Sequence, residues 1–223
     1  MQKFDTPAPV STVLDIPAGR VRFIAADRAD TTVEVLPADA SKSRDVKAAE
    51  QTGIAYEGGV LRITAPEAKN QYFGSTGSVE VTVQLPAGSR VEAKAAAAEL
   101  RGVGRLGDVT FEAAQGDVKL DEAASAHLTA QAGEITIGRL GGPARISTRK
   151  GGIRIDEAMG GTLTLATETG DVSVCAARGV SASLDAGTGH GRVRNTLRNT
   201  GGADAGLTIH ATTAYGDITA RSL

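Results

Sequence analysis

Four acidic residues follow glycines at near-regular intervals: Asp117, Glu134, Asp171 and Asp217. If successive copies of their surroundings stack, the acids stand about 4.8 Å apart, the spacing of neighbouring strands. A retaining glycosidase uses two carboxylates at roughly 5–5.5 Å, and a row of carboxylates also suits calcium. A plainer chemistry fits the same positions. An Asp after a Gly in a tight turn satisfies local backbone groups with its own side chain. Catalysis calls for one place where the pattern gives way to unusual residues, and this ladder is interrupted only by Gly152 and His190. The acids therefore read as turn chemistry first and a cation ladder second. No catalytic residue, cofactor or metal site is assigned.

The remaining reactive groups are sparse. His127 and His210 fall in one column of the repeat, four units or about 19 Å apart, too far to share a metal, so they and His190 read as solvent-facing. Cys175 is the only cysteine, which rules out a disulfide framework and a Cys-based zinc site; it reads as a structural thiol. Arg145, Arg149, Lys150, Arg154, Arg192, Arg194 and Arg198 enrich the later units in positive charge. They read as a solvated face, with an anionic-polymer strip as the second reading. Tyr72 and Phe73 lie in a Gly/Ser stretch, residues 70–78. There they are either exposed binding anchors or packing over the N-terminal end, and both readings stand.

Composition sets the frame for these groups. The 223 residues carry 24 Lys and Arg against 26 Asp and Glu, a net charge of −2, without the basic footprint of general nucleic-acid binding. No apolar run approaches the ~18 residues of a membrane helix. Met1 to Pro7 lacks the apolar core of a signal peptide, so a cytoplasmic location is the default expectation. Glycine is high at 28 residues and aromatics low at 3%, yet 41% of residues are hydrophobic. That is enough to build a core and points to repetition rather than disorder.

The repeat is Gly, usually an acid, then apolar, polar, apolar. It appears as Gly116-Asp117-Val118-Lys119-Leu120, Gly133-Glu134-Ile135-Thr136-Ile137, Gly151-Gly152-Ile153-Arg154-Ile155, Gly170-Asp171-Val172-Ser173-Val174 and Gly216-Asp217-Ile218-Thr219-Ala220, with a degraded copy starting at Gly189. The glycine spacings are 17, 18, 19, 19 and 27, and residues 195–206 account for the long one as a loop insertion. Residues three before each glycine are small (Ala113, Ala130, Thr148, Thr167, Ala186, Thr213), and apolar residues alternate with polar ones on both sides. Alternation is the signature of half-buried strands. A unit of about 18 residues cannot bury its own apolar face, but a parallel stack of such units can. The expected fold is an all-β, single-domain parallel β-solenoid (β-helix), right-handed, with 17–19 residues per coil. Val91, Leu100, Val109 and Val118 recur nine apart, which does not fit a hexapeptide helix.

Residues 1–90 alternate less regularly. Two Pro-Ala-Gly corners, Pro17–Gly19 and Pro86–Gly88, suggest longer coils of the same stack, so residues 1–223 are expected to form one domain, with regular short coils over 91–223. Residues 39–51 read as a loop or short helix. Residues 91–100 (VEAKAAAAEL) have helix propensity but align with the strand columns, and tertiary context overrides propensity.

Units such as Thr167-Glu168-Thr169-Gly170-Asp171-Val172-Ser173-Val174, together with the Pro-x-Gly corners, resemble the bacterial putative-adhesin family, domain of unknown function 4097. The resemblance spans nearly the whole chain. It implies repeated β-strands and an adhesin-like role, and it brings no catalytic residues. The expected function is a non-enzymatic scaffold recognising a protein or polysaccharide through a flat face. The alternative is a self-assembling element that associates end to end through the C-terminal coil, because the last repeat ends three residues before Leu223. A polysaccharide-active β-helix enzyme ranks third.

Overall fold

The computed structural model describes residues 1–65 and 77–223; Tyr72 and Phe73 lie outside the described residues. Alternating sequence becomes strand almost throughout. The elements are β1 (Gln2–Asp5), β2 (Ser11–Ala26), β3 (Asp30–Pro37), α1 (Ser43–Gln51), β4 (Gly53–Glu57), β5 (Val60–Thr64), β6 (Val79–Pro86), β7 (Arg90–Gln115), β8 (Val118–Ala132) and β9 (Ile135–Leu140). They continue as β10 (Ala144–Lys150), β11 (Ile153–Ala158), β12 (Gly161–Thr169), β13 (Val172–Ala176), β14 (Ala182–His190), β15 (Val193–Thr196), β16 (Leu207–Tyr215) and β17 (Ile218–Ser222). All the strands join one sheet, most of it parallel. The alanine-rich 91–100 stretch is strand within β7, and 43–51 is helix.

Each repeat contributes one layer of two strands meeting at the glycine corner. The strand before the glycine joins one ladder and the strand after it joins another. Val109 pairs with Ala126, Ala126 with Ala144 and Ala144 with Leu163. After the corner, Val118 pairs with Ile135, Ile135 with Ile153 and Ile153 with Val172. These columns point inward and are buried. Their aliphatic side chains fill a narrow interior in which Phe23 and Phe111 are the large fully buried aromatics.

The stacking order departs from the sequence order at both ends. Strand β16 lies between β12 and β14, and β17 lies between β13 and β15. The repeat that is last in sequence is therefore next to last in space, with β14 and β15 outside it. This corrects the expectation that the C-terminal coil offers the open edge. It also corrects the loop insertion expected over residues 195–206: 195 and 196 end β15, and 197–206 are the connection that carries the chain back into the stack. At the other end β2 lies between β5 and β6 on one side and β7 on the other. The N-terminal strands are only partly coils of the stack: β1–β3, β3–β6 and β4–β5 pair antiparallel and form an end cap. Phe4 of β1 and Tyr56 of β4 meet there, with ring centroids 5.4 Å apart.

One core position is imperfect. The Thr12 side chain sits in the inward column between Leu61 and Val91, fully buried, and its hydroxyl has no partner. An unpaired buried hydroxyl forfeits its hydration. Thr12→Val is expected to stabilise the protein by about 1 kcal/mol, read as a higher denaturation midpoint with an unchanged m-value.

Candidate interaction surface

The acids of the repeat are bound to the neighbouring layer. The Glu134 amide donates to Asp117 Oδ1 at 2.8 Å, and the Gly152 amide donates to Glu134 Oε2 at 2.9 Å. The Asp217 amide donates to Asp171 Oδ1 at 2.7 Å, and the Arg192 amide to Asp217 Oδ1 at 2.9 Å. This corrects the local-turn reading: each of these carboxylates accepts from the next layer's backbone rather than from its own turn. Threonines three before the glycine complete the clasp from the other side. Thr167, Thr213 and Thr188 donate their hydroxyls to the carbonyls of Gly151, Gly170 and Gly216 at 2.9, 3.0 and 2.9 Å. A T-x-x-G-D unit is thus a device for joining layers. Among the described residues, no group of three or more His, Cys, Asp or Glu is placed to hold a metal ion.

The same bonds identify the corner of the degraded repeat. Gly191, not Gly189, stacks on Gly216, and His190 pairs with Tyr215. Thr188 then takes the place first given to Ala186. Scoring the alternatives by a Thr three positions before the glycine would have found this.

The Arg192 backbone amide, followed by the charges of Arg192 and Arg194, holds the Asp217 carboxyl below its ordinary range. A depressed carboxylate contributes stability above its unfolded value of about 3.9, and that contribution is lost as pH falls through the lower folded value. Asp217→Asn, which keeps an acceptor oxygen but no charge, is expected to flatten the acid limb of the stability–pH curve below about pH 4. Urea midpoints measured across that range test this.

The other singled-out residues scatter. His127 connects through Arg145 and Thr164 to His210, so the two histidines are three ladder steps apart rather than four. His210 Nδ1 lies 3.3 Å from Asp185 Oδ2. His190 stacks on exposed Tyr215 with centroids 4.6 Å apart. Buried Cys175 accepts a hydrogen bond from Arg221 Nε at 2.9 Å. The basic residues do not form one free strip: Arg149, Arg154 and Arg192 pair with Glu168, Asp156 and Asp217.

What the structure does assemble is a trough on the sheet before the corners. Two depressions of about 430 Å³ each share Ala114 and Gln131. The trough runs across successive layers from Lys94–Ala96 through Ala113–Gln115 and Gln131–Ala132 to Arg149–Lys150 and Glu168–Thr169. Its floor is recessed because Ala95, Ala96, Ala113, Ala114 and Ala132 stand where longer side chains would project. The ion pairs Lys94–Glu112, at 3.6 Å, and Arg149–Glu168, at 3.2 Å, mark its two ends. The alanine run in 91–100 was the available signal, since four alanines in a strand leave a hollow.

A sequence profile, that of Toastrack DUF4097, matches residues 13–222. The chain belongs to the Toastrack DUF4097 family. A solved structure with a TM-score above 0.5 agrees at the level of fold. A "putative lipid binding protein" from Parabacteroides distasonis is 12% identical, with TM-score 0.51, covering 98% of this chain and 95% of that one. A "putative adhesin" from Bacteroides fragilis is 12% identical, with TM-score 0.47 and coverage of 100% and 95%. A "putative cell adhesion protein" from Clostridium sporogenes is 13% identical, with TM-score 0.43 and coverage of 100% and 98%. Among curated proteins none matches. No helix among the described residues of this Toastrack chain is long and apolar enough to cross a membrane.

Proposed function

We propose that this Toastrack chain, as one right-handed β-solenoid domain over residues 1–223, is a non-enzymatic, adhesin-like scaffold. It binds a linear ligand, a polysaccharide or an extended protein segment, along the alanine-floored trough. The observation that carries this reading is the trough's direction. It crosses five layers, roughly 19 Å at the strand spacing, so a chain lying along the stack meets alanine floor in three successive layers and charged side chains in the next two. The acids of the repeat are occupied by amides of adjacent layers, which favours binding over hydrolysis.

The test is retention on immobilised polysaccharides and on a bacterial envelope-protein fraction, comparing the native chain with Ala114→Trp. Ala114 is half-buried at the centre of the trough, so an indole fills the recess without entering the core. Retention of one ligand class, weakened at least about tenfold by the substitution at unchanged melting temperature, is the expected result. Equal retention of the two proteins, or none by either, refutes the reading.

A further inference from the structure

On the outer face of the sheet before the corners, Thr110, His127, Arg145, Thr164 and His210 stand side by side on successive layers. We propose that Arg145 and His127 form an oxyanion site that takes a sulfate or phosphate group, as the free ion or as an ester on a sugar chain. The inference does not depend on what the trough binds.

Charge without a partner is the first argument. Elsewhere on this face a basic side chain meets a carboxylate of the adjacent layer: Lys94 meets Glu112, Arg149 meets Glu168 and His210 meets Asp185. Arg145 and His127 are exposed, and neither has a hydrogen-bond or ion-pair partner for its side chain among the described residues. The register explains why. Directly beside Arg145 lie His127 and Thr164, and diagonally Ser125, Thr129, Thr162 and Ala166, so no neighbouring position on either flanking strand supplies an acid. On the far side of His127, Asp108 and Glu112 flank Thr110. Asp108 accepts from the Ser125 hydroxyl at 2.6 Å, and Glu112 pairs with Lys94. Two basic side chains set opposite each other on neighbouring strands are unfavourable without a counter-charge, and a bound anion supplies one.

Donor chemistry and shape are the second argument. A depression of about 390 Å³ lies over these residues, with Thr110, Ser125, His127, Arg145, Thr162 and Thr164 in its lining and no carboxylate among the lining groups. Arg145 offers a planar fork of N–H donors that matches two oxygens of one anion. The His127 ring adds one N–H donor when neutral and two when protonated. The hydroxyls of Thr110, Thr162 and Thr164 have no partner among the described residues and are free to turn toward the remaining oxygens. A tetrahedral oxyanion accepts from several directions at once, which is what donors converging from four layers require.

Chemical-shift titration of the isotopically labelled full chain tests the proposal, with sodium sulfate or sodium phosphate replacing sodium chloride at constant ionic strength. Saturable shifts of the His127 imidazole and of the amides around Arg145 are expected. Arg145→Gln and His127→Gln are each expected to weaken sulfate binding, Arg145→Gln at least about tenfold. Both side chains are exposed, and an unchanged amide spectrum away from the site verifies the fold. Arg154→Gln removes the same charge from the other sheet, where Arg154 already pairs with Asp156, and is expected to leave the affinity as it is. A parallel titration compares dextran sulfate with neutral dextran. Dextran sulfate binding tighter than the free ion, with the gain lost in Arg145→Gln, assigns the ester on a sugar chain; binding no tighter assigns the free ion. No saturable shift with any of these anions, shifts spread evenly over the basic side chains, or equal affinity of Arg145→Gln and the native chain would overturn the site.

Discussion

Gly151→Ala is expected to destabilise the protein by about 3–5 kcal/mol, among the largest effects that a one-methyl change can have. Gly151 has φ +139°, a region that L side chains rarely adopt, and an added Cβ would overlap the carbonyl oxygen of Gly133 in the layer beneath. Backbone strain of this kind costs about 1–3 kcal/mol by itself. The overlap adds to it, because the obstructing atom belongs to the backbone of a paired strand and cannot rotate away. Gly133 and Gly170 repeat the arrangement against Gly116 and Gly151, so the strain cannot be relieved by sliding a layer. Urea unfolding of the variant beside a control, Gly58→Ala, checks the mechanism. Gly58 also has positive φ but nothing within 4 Å of its would-be Cβ, so the control isolates the strain from the overlap and should cost no more than about 1–3 kcal/mol.

Deleting Leu207–Leu223 is expected to abolish the native C-terminal half rather than trim it. In a stack laid down in sequence order, removing the last repeat exposes one new end and leaves earlier layers standing. Here the last repeat is held between β12–β13 and β14–β15. Its removal leaves β14 and β15 without the neighbours they pair with and uncovers Leu163, Leu165, Val172 and Val174. Leu207, Ile209 and Ile218 are themselves fully buried. At about 1.5–3 kcal/mol each, they alone contribute an amount comparable with the stability of a typical domain. Hydrogen exchange of the truncated chain should show lost protection over 161–206, and its soluble yield should fall sharply. Protection confined to its normal pattern up to Thr196 would mean that the terminal layers stack in sequence order after all.

The repeat itself was legible in the residues. Val118, Ile135, Ile153, Val172 and Ile218 recur because each must point into the same narrow interior, and alternation about them dictates strand wherever they occur. Glycine with a following acid marks the corner because a backbone carbonyl lies where a Cβ would go and an amide of the next layer needs an acceptor. Even the helix-prone 91–100 segment declared itself by keeping the strand columns. The adhesin-like family followed from the same corner motif, and its profile covers residues 13–222.

Which layer touches which was not legible. Nothing in the composition of β16 and β17 says that they enter between β12–β13 and β14–β15, since their Thr213-x-x-Gly216-Asp217 corner is the same as the Thr167-x-x-Gly170-Asp171 corner of β12–β13 and would serve as well at the end of the stack. The choice is made by burial at the ends. The inward positions held by Leu165 and Val174 become Ala211 and Ala220 in the next layer, then Ala186 and exposed Asn195 in the outermost one. The most polar repeat goes outside because that position costs it least, although it is not the last in the chain. The trough arises in the same way, from alanines brought together across layers. Local sequence determined the strand, the corner and the bond between layers. Only the tertiary stack decided their order, because order depends on how much apolar surface each interchangeable unit would leave uncovered.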